Sequence, residues 1–256
     1  MADTLSAIYT IWLREIKRFI KSRSRVIGTG GQPLIWIAIF GVGLGAAFTL
    51  PGGQPYITFM APGIIGMTLL FTSLFAGINV IWDKQFGFLK EIMVAPISRV
   101  SIVLGKVIGT ATIALLSALV ILIVVVVAGV IPFHYITPMG LIEAIAFMLL
   151  ISSIFVSVGL IIASFINNIE GFQVIVNFLI FPLFFLSGAV FPLTTAPVWM
   201  KVISSVDPLY YGVDGMRGAL IGAHALPIYV DMAIVVVVMI VFVAIADIMF
   251  RRMQAK

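Results

Sequence analysis

IVLGKVIGTATIALLSALVILIVVVVAGVI, the stretch from Ile102 to Ile131, runs thirty residues with a single charge, Lys106, at its fifth position. A helix rises about 1.5 Å per residue and a bilayer core is about 30 Å thick, so roughly 20 apolar residues suffice to cross it. This stretch therefore reads as a membrane span. Five more meet or approach the same length: 33–50, 57–82, 139–166, 172–191 and 230–250. Turn chemistry separates them, at Leu50-Pro51-Gly52-Gly53, Ile131-Pro132, Asn167-Asn168 and Phe191-Pro192. Composition agrees. Of 256 residues, 62% are hydrophobic and 10% charged, and the mean hydropathy is +1.24. Soluble domains carry about 25% charged residues, and a globule of this size cannot hide the apolar excess. Cytosolic enzymes and nucleic-acid binders are thereby excluded, despite a net charge of +5. Cysteine is absent and His134 and His224 stand in no metal-binding motif, so neither a catalytic residue nor a metal ligand is expected.

Basic residues set the expected topology. Arg14, Lys17, Arg18, Lys21, Arg23 and Arg25 precede the first span; Lys84, Lys90, Arg99 and Lys106 surround the loop after the second; Arg251, Arg252 and Lys256 end the chain. Thirteen of the fifteen basic residues share one side if both termini do. The positive-inside rule makes that side the cytoplasm and predicts a multi-pass protein of the cell membrane with both termini inside. The basic start is too long for a cleavable signal peptide, and no short apolar core with a small-residue cleavage site follows it.

The fold class expected is an all-α membrane protein of six transmembrane helices, with an N-terminal amphipathic interfacial helix and a short re-entrant extracytoplasmic helical segment before the last span. Residues 1–32 form the interfacial part, 33–250 the membrane domain, and 251–256 a cytoplasmic tail, with a loop at 83–101 and the re-entrant segment at 192–227. In the start, Leu5, Ile8, Trp12, Ile16, Phe19 and Ile20 follow helical spacing, while Arg14, Lys17, Arg18 and Lys21 take another face as membrane-interface cations for anionic lipid headgroups. Two readings stay open, a topology-setting flank and a lever on the first span. In the segment 192–227, Trp199, Tyr210 and Tyr211 suit an interface, as a gate dipping into the outer leaflet or as an anchored loop.

The sizeable loop after the second span holds a helix-compatible run from Phe86 to Val94 that ends before Pro96. Phe88, Leu89, Ile92 and Met93 share one side of it, with Lys90 and Glu91 elsewhere. So apolar a surface helix needs cover, either a soluble protein or the membrane face and neighbouring chain ends.

The run Phe88-Leu89-Lys90-Glu91, then Ala95-Pro96-Ile97-Ser98-Arg99 and Gly105-Lys106, resembles the loop of type-2 ABC transporter permeases. Leu186-Ser187-Gly188-Ala189-Val190-Phe191-Pro192-Leu193, Ala196-Pro197-Val198-Trp199, Asp207-Pro208-Leu209-Tyr210-Tyr211 and Val213-Asp214-Gly215-Met216-Arg217 are similar to that family's extracytoplasmic segment. Gln32-Pro33-Leu34 before a glycine-rich first span looks like the drug-resistance, daunorubicin exporter-like branch. One detail departs: Gly87-Phe88 stands where Gly-Thr is expected. The resemblance implies a homodimer of permeases, each docking one copy of a cytoplasmic ABC ATPase through a coupling helix formed by Phe86, Gly87, Phe88, Leu89, Lys90, Glu91, Ile92 and Met93 up to Pro96. It implies export of a drug, antibiotic or lipid-like molecule by alternating access, with a lipid-linked glycan exporter as the alternative. An ion-coupled carrier is disfavoured, because no carboxylates cluster mid-span.

No string of the form G-x-x-x-x-G-K-[ST] occurs, so this chain is expected to bind no cofactor itself, with ATP and magnesium held by the partner ATPase. Polar side chains inside spans are costly and mark candidate sites. Thr68, Thr72, Phe75 and Asn79 share one face of the second span; Gln173, Asn177, Phe181, Phe184 and Gly188 lie near one face of the fifth. Thr72, Phe75, Asn79, Gln173, Asn177, Phe181 and Phe184 are the candidate translocation path, with interhelical packing the other account. Asp247 stands one turn before Arg251, spaced for an ion pair, and Glu143 and Asp231 sit near the starts of their spans. Gly41/Gly45 and Gly105/Gly109 allow close helix contact, for a dimer seam among other uses.

Overall fold

The opening stretch is helical in the computed structural model, which describes residues 4–22, 31, 33–39, 43, 55–87 and 98–252. Among these the helices are α1 (Thr4–Lys21), α2 (Tyr56–Leu74), α3 (Ala76–Gln85), α4 (Arg99–Val127), α5 (Pro138–Phe165), α6 (Ile169–Leu186), α7 (Val198–Ser204), α8 (Pro208–Ile221) and α9 (Ile228–Arg252). Single 3₁₀ turns at Phe133–Tyr135 and Leu193–Thr195 complete the order, and no strand occurs among the described residues. Among the described residues five segments are long and apolar enough to cross a membrane: Tyr56–Gln85, α4, α5, α6 and α9. The expected first span is described only in part. Residues 33–39 are helical, Leu34, Trp36 and Ile37 pack on the core, and most of 40–50 lies outside the described residues.

Local chemistry sets the helix ends. Ser98, Thr137 and Asp207 cap α4, α5 and α8, each accepting a backbone N–H of the first turn, from Ser101, Gly140 and Leu209. Pro138 and Pro208 stand at the first helical position, where the missing N–H costs nothing. Two expected ends move inward. The run to Ile131 stops being helix at Val127, because the chain turns at Ala128-Gly129 and the N–H groups of Val130 and Ile131 both reach back to the Val125 carbonyl. The fifth span ends at Leu186 rather than Phe191, because Gly188 takes a left-handed conformation at φ 72°. Hydropathy continues through both turns, so it could not mark them.

Helix α5 is the centre of the bundle, in contact with α2, α3, α4, α8 and α9. Phe147, Ile151, Ile154 and Phe155 are fully buried along it. Gly77 of α3 meets it at a close crossing, where an added Cβ would lie 2.5 Å from the Gly159 carbonyl oxygen. Helices α6 and α9 are peripheral, and most of each faces outward. Helix α8, buried along Gly212–Ile221, has 14 residues and at about 1.5 Å each is too short to cross a bilayer. It and α7 occupy the segment expected to be re-entrant.

Helix α1 packs on α4. Its buried residues are Ala7, Ile11, Glu15 and Phe19, while Leu5 and Ile20, expected on one apolar face with Phe19, are exposed. Gly105 and Gly109 form the seat: an added Cβ would meet Ile11 Cβ at 2.8 Å or Glu15 Cβ at 3.1 Å. That pair serves a contact within the chain, which corrects its reading as part of a dimer seam.

Candidate functional site

A cavity of about 420 Å³ opens between α2, α3, α4, α6, the end of α1 and the helical residues 33–39. Its wall is largely apolar and aromatic, with Phe19, Trp36, Met67, Phe71, Phe75 and Ile113. The helix breaks beside it: at Phe75 the α2 ladder ends, and the Ile78 N–H bonds the Phe75 carbonyl at 3.1 Å. That 3₁₀ turn carries Phe75 and Ile78 into the lining together.

Four of the seven candidate path residues meet here: Thr72, Phe75, Asn79 and Gln173. The Thr72 hydroxyl and the amides of Asn79 and Gln173 make no hydrogen bond to the described residues, whereas the Thr68 hydroxyl donates to the Ile64 carbonyl at 2.9 Å. An apolar wall with a few unspent polar groups is the usual make-up of a small-molecule pocket, and the volume falls in the usual range. Thr110, which lines the same cavity, was missed in the sequence because it lies in a long, strongly hydrophobic run. The other three path residues lie elsewhere. Asn177 and Phe181 are on the exposed side of α6, and Phe184 is buried with Phe172, Val176 and Ile180.

At the end of α3 a charged cluster sits under α1. Asp83 and Lys106 are buried, 2.7 Å apart. Lys106 also faces Glu15 at 3.6 Å, and Arg14 and Arg18 reach Asp83 at 3.2 and 3.6 Å. Two of the four expected interface cations thus point at Asp83, while Lys17 and Lys21 are exposed. Next to Asp83, Lys84 donates to the Ala163 carbonyl at 2.7 Å, and Gln85 to the Asn167 carbonyl at 3.0 Å. Three consecutive residues therefore tie the end of α3 to α1, α4 and the end of α5. Phe86 caps α3 and Gly87 follows in the left-handed region at φ 78°, so both belong to the end of this helix. Phe88, Leu89, Lys90, Glu91, Ile92, Met93 and Pro96 lie outside the described residues. A sequence cue for the cluster existed: Glu15 sits four residues from Ile11 and Phe19 on the α1 face that packs, and Lys106 lies inside an apolar run.

The remaining singled-out acids are placed plainly. Asp247 pairs with Arg251 at 2.8 Å. Asp231 is fully buried beside Asp214, and Glu143 is half-buried on α5. No group of three or more metal-ligating side chains occurs among the described residues.

Five candidate membrane spans among the described residues, three of which (Tyr56–Gln85, α4 and α6) line a largely apolar cavity, define a multi-pass helical membrane protein. The chain belongs to the ABC-2 type transporter family, whose sequence model matches residues 6–221. It is 25% identical over 253 residues to the inner membrane transport permease YadH of Escherichia coli K12, covering 96% of this chain and 95% of that one. It is 24% identical over 245 residues to nodulation protein J of Rhizobium leguminosarum bv. viciae, covering 94% and 93%. To ycf38 of Porphyra purpurea, which carries a transport-permease name, it is 30% identical over 195 residues, covering 73% of this chain and 64% of the relative, just under two thirds of its length.

Proposed function

We propose that this chain is the membrane permease of an ATP-driven exporter and moves a hydrophobic or amphiphilic molecule outward by alternating access. One observation carries the reading: Thr72, Asn79 and Gln173 hold unspent hydrogen-bonding groups in a largely apolar cavity of about 420 Å³. A pocket of that size suits a drug-like or lipid-like amphiphile better than a glycan chain, which needs a long open channel. ATP and magnesium belong to a separate cytoplasmic ABC ATPase, two copies of which dock on a permease homodimer. The docking element runs from Phe86 to Pro96. The Asp83–Gln85 turn at its root ties to three other elements, a route by which movement of the loop reaches the cavity. Both termini are cytoplasmic, and α7 and α8 form the re-entrant cap on the outer side.

The test uses the permease co-expressed with its ATPase and reconstituted in vesicles, with daunorubicin as a fluorescent probe. Asn79→Leu with Gln173→Leu is expected to cut ATP-dependent accumulation at least five-fold while the complex still co-purifies. Leu89→Asp with Glu91→Arg is expected to abolish co-purification while the permease stays folded. Accumulation by the permease without any ATPase would overturn the reading.

A further inference from the structure

At the end of the bundle away from Lys106, beside the start of α2, lies a second cavity of about 750 Å³, bounded by α7, α8, the Gly188 turn and the loop before α9. Its charges do not balance. Arg217, only 7% exposed, donates from Nε to the Phe59 carbonyl at 3.3 Å and from Nη2 to the Gly188 carbonyl at 3.0 Å. Its guanidinium lies 3.8 Å over the Phe59 ring. A guanidinium has five N–H donors, and the others find no acceptor among the described residues. No carboxylate forms an ion pair with Arg217 there either. Burial pulls the group down to about 10, opposed by Asp214, so it stays cationic at neutral pH.

Among the described residues the one acid lining this cavity is otherwise engaged. Asp214 accepts from the Ala225 N–H at 3.0 and 2.8 Å and from the Leu226 N–H at 3.0 Å, which fixes the loop before α9. Asp231 stands behind it and does not line the space. Lys201 of α7 lines the same cavity, with Nζ 2.9 Å from the Thr194 carbonyl, and the Tyr210 hydroxyl there has no hydrogen-bond partner among the described residues. Next to Lys201 on the same helix, Val198, Trp199 and Val202 are exposed.

A buried cation with spare donors is costly unless an anion meets it. We propose that this cavity binds the acidic headgroup of an amphiphile, a phosphate, sulfate or carboxylate, with Arg217 and Lys201 on the anion and the apolar part along α7. This deepens the export reading, on which it rests only for the statement that such an amphiphile is the class of cargo. A resident lipid carries the same headgroup chemistry.

The experiment uses the full-length permease in dodecyl maltoside, with dioleoyl phosphatidylglycerol and dioleoyl phosphatidylcholine as probes and native mass spectrometry as readout. The acidic lipid is expected to be retained about ten-fold better than the zwitterionic one. Lys201→Gln should cut that preference about three-fold, Arg217→Gln should abolish it, and Arg217→Lys should restore part of it. If Arg217→Gln does not fold, Lys201→Gln and Arg217→Lys decide. Retention through prolonged washing marks a resident lipid and exchange within minutes a passing one; either supports the headgroup site. Equal retention of both lipids, or no effect of Lys201→Gln, would overturn the proposal. Failure of ATPase co-purification with the lipid preference intact would remove the export reading and leave this site standing.

Discussion

Lys106 brings an ammonium into a long apolar run, and the structure answers it with Asp83 at 2.7 Å and Glu15 at 3.6 Å. Removing one member of a buried ion cluster leaves its partners charged and unpaired, which costs about 3–5 kcal/mol. Lys106→Met is therefore expected to lower the thermal midpoint in detergent markedly. Adding Glu15→Gln should recover part of the loss, since Asp83 keeps Arg14 and Arg18. A double mutant no more stable than the single one would show that Glu15 is not coupled to Lys106. Asp207 is a different case. It caps α8 through the Leu209 N–H at 2.9 Å, its Oδ2 is buried without a partner among the described residues, and burial pushes its carboxyl up to about 7. The unfolded chain releases this proton near pH 4. The folded state holds it to about 7, so its stabilisation is complete below pH 4 and is lost as pH rises through 7, by at most ~1.4 kcal/mol per unit. Asp207→Asn keeps a capping oxygen. Thermal midpoints measured from pH 4.5 to 8 should fall less steeply with pH for this variant than for the parent.

At the scale of elements, the contact between α1 and α4 depends on two missing side chains. A Cβ at Gly109 would stand 3.1 Å from Glu15 Cβ and 3.4 Å from Trp12 Cα, so a branched side chain there must push the whole helix away. Gly109→Leu is expected to speed tryptic cleavage at Lys17 and Arg18 several-fold, while Gly43→Leu, whose added Cβ meets none of the described residues within 4 Å, leaves the rate unchanged. Equal rates for both would mean that α1 is not seated by this contact. Here the sequence was legible in one respect and opaque in another. The period that makes α1 a helix could be read directly, but its apolar face could not be equated with its packed face. Where lipid replaces water on one side, hydrophobicity no longer points at the core. Leu5 and Ile20 are exposed, and Glu15 is buried because Lys106 waits beneath it. The same limit divided the path residues. A helical wheel groups Phe184 with Gln173, yet the ring packs inward with Phe172, and only inter-helix geometry separates the two. The span segments from 57 onward could be read because a run of twenty apolar residues has few alternative fates in a folded chain.

For the whole molecule the decisive asymmetry is between α5, which packs closely against α2, α3, α4, α8 and α9, and α6, whose contacts with its neighbours are sparse. Helix α6 nevertheless carries amides on its open side: Gln173 and Asn177 are exposed, flanked by Val174 and by Phe178, 82% exposed. Unpaired amides facing hydrocarbon are costly, so the open side of α6 suits a partner or a water-lined path better than lipid. The outer faces of α9, with Val237, Ile240 and Val241 exposed, carry no such groups and suit acyl chains. The proposed homodimer would therefore meet along α6, placing the polar side of each copy towards the other and the two cavities near the seam. The absence of native cysteine makes a clean test available. Phe178→Cys in native membranes, oxidised with copper phenanthroline, is expected to give a disulfide-linked dimer in high yield, and Val241→Cys to stay monomeric under the same treatment. Adding Asn177→Leu to Phe178→Cys should change the yield if the amide pairs across the seam. Crosslinking at Val241 in place of Phe178 would move the seam to α9 and leave the α6 amides lining a path that opens sideways from a single copy.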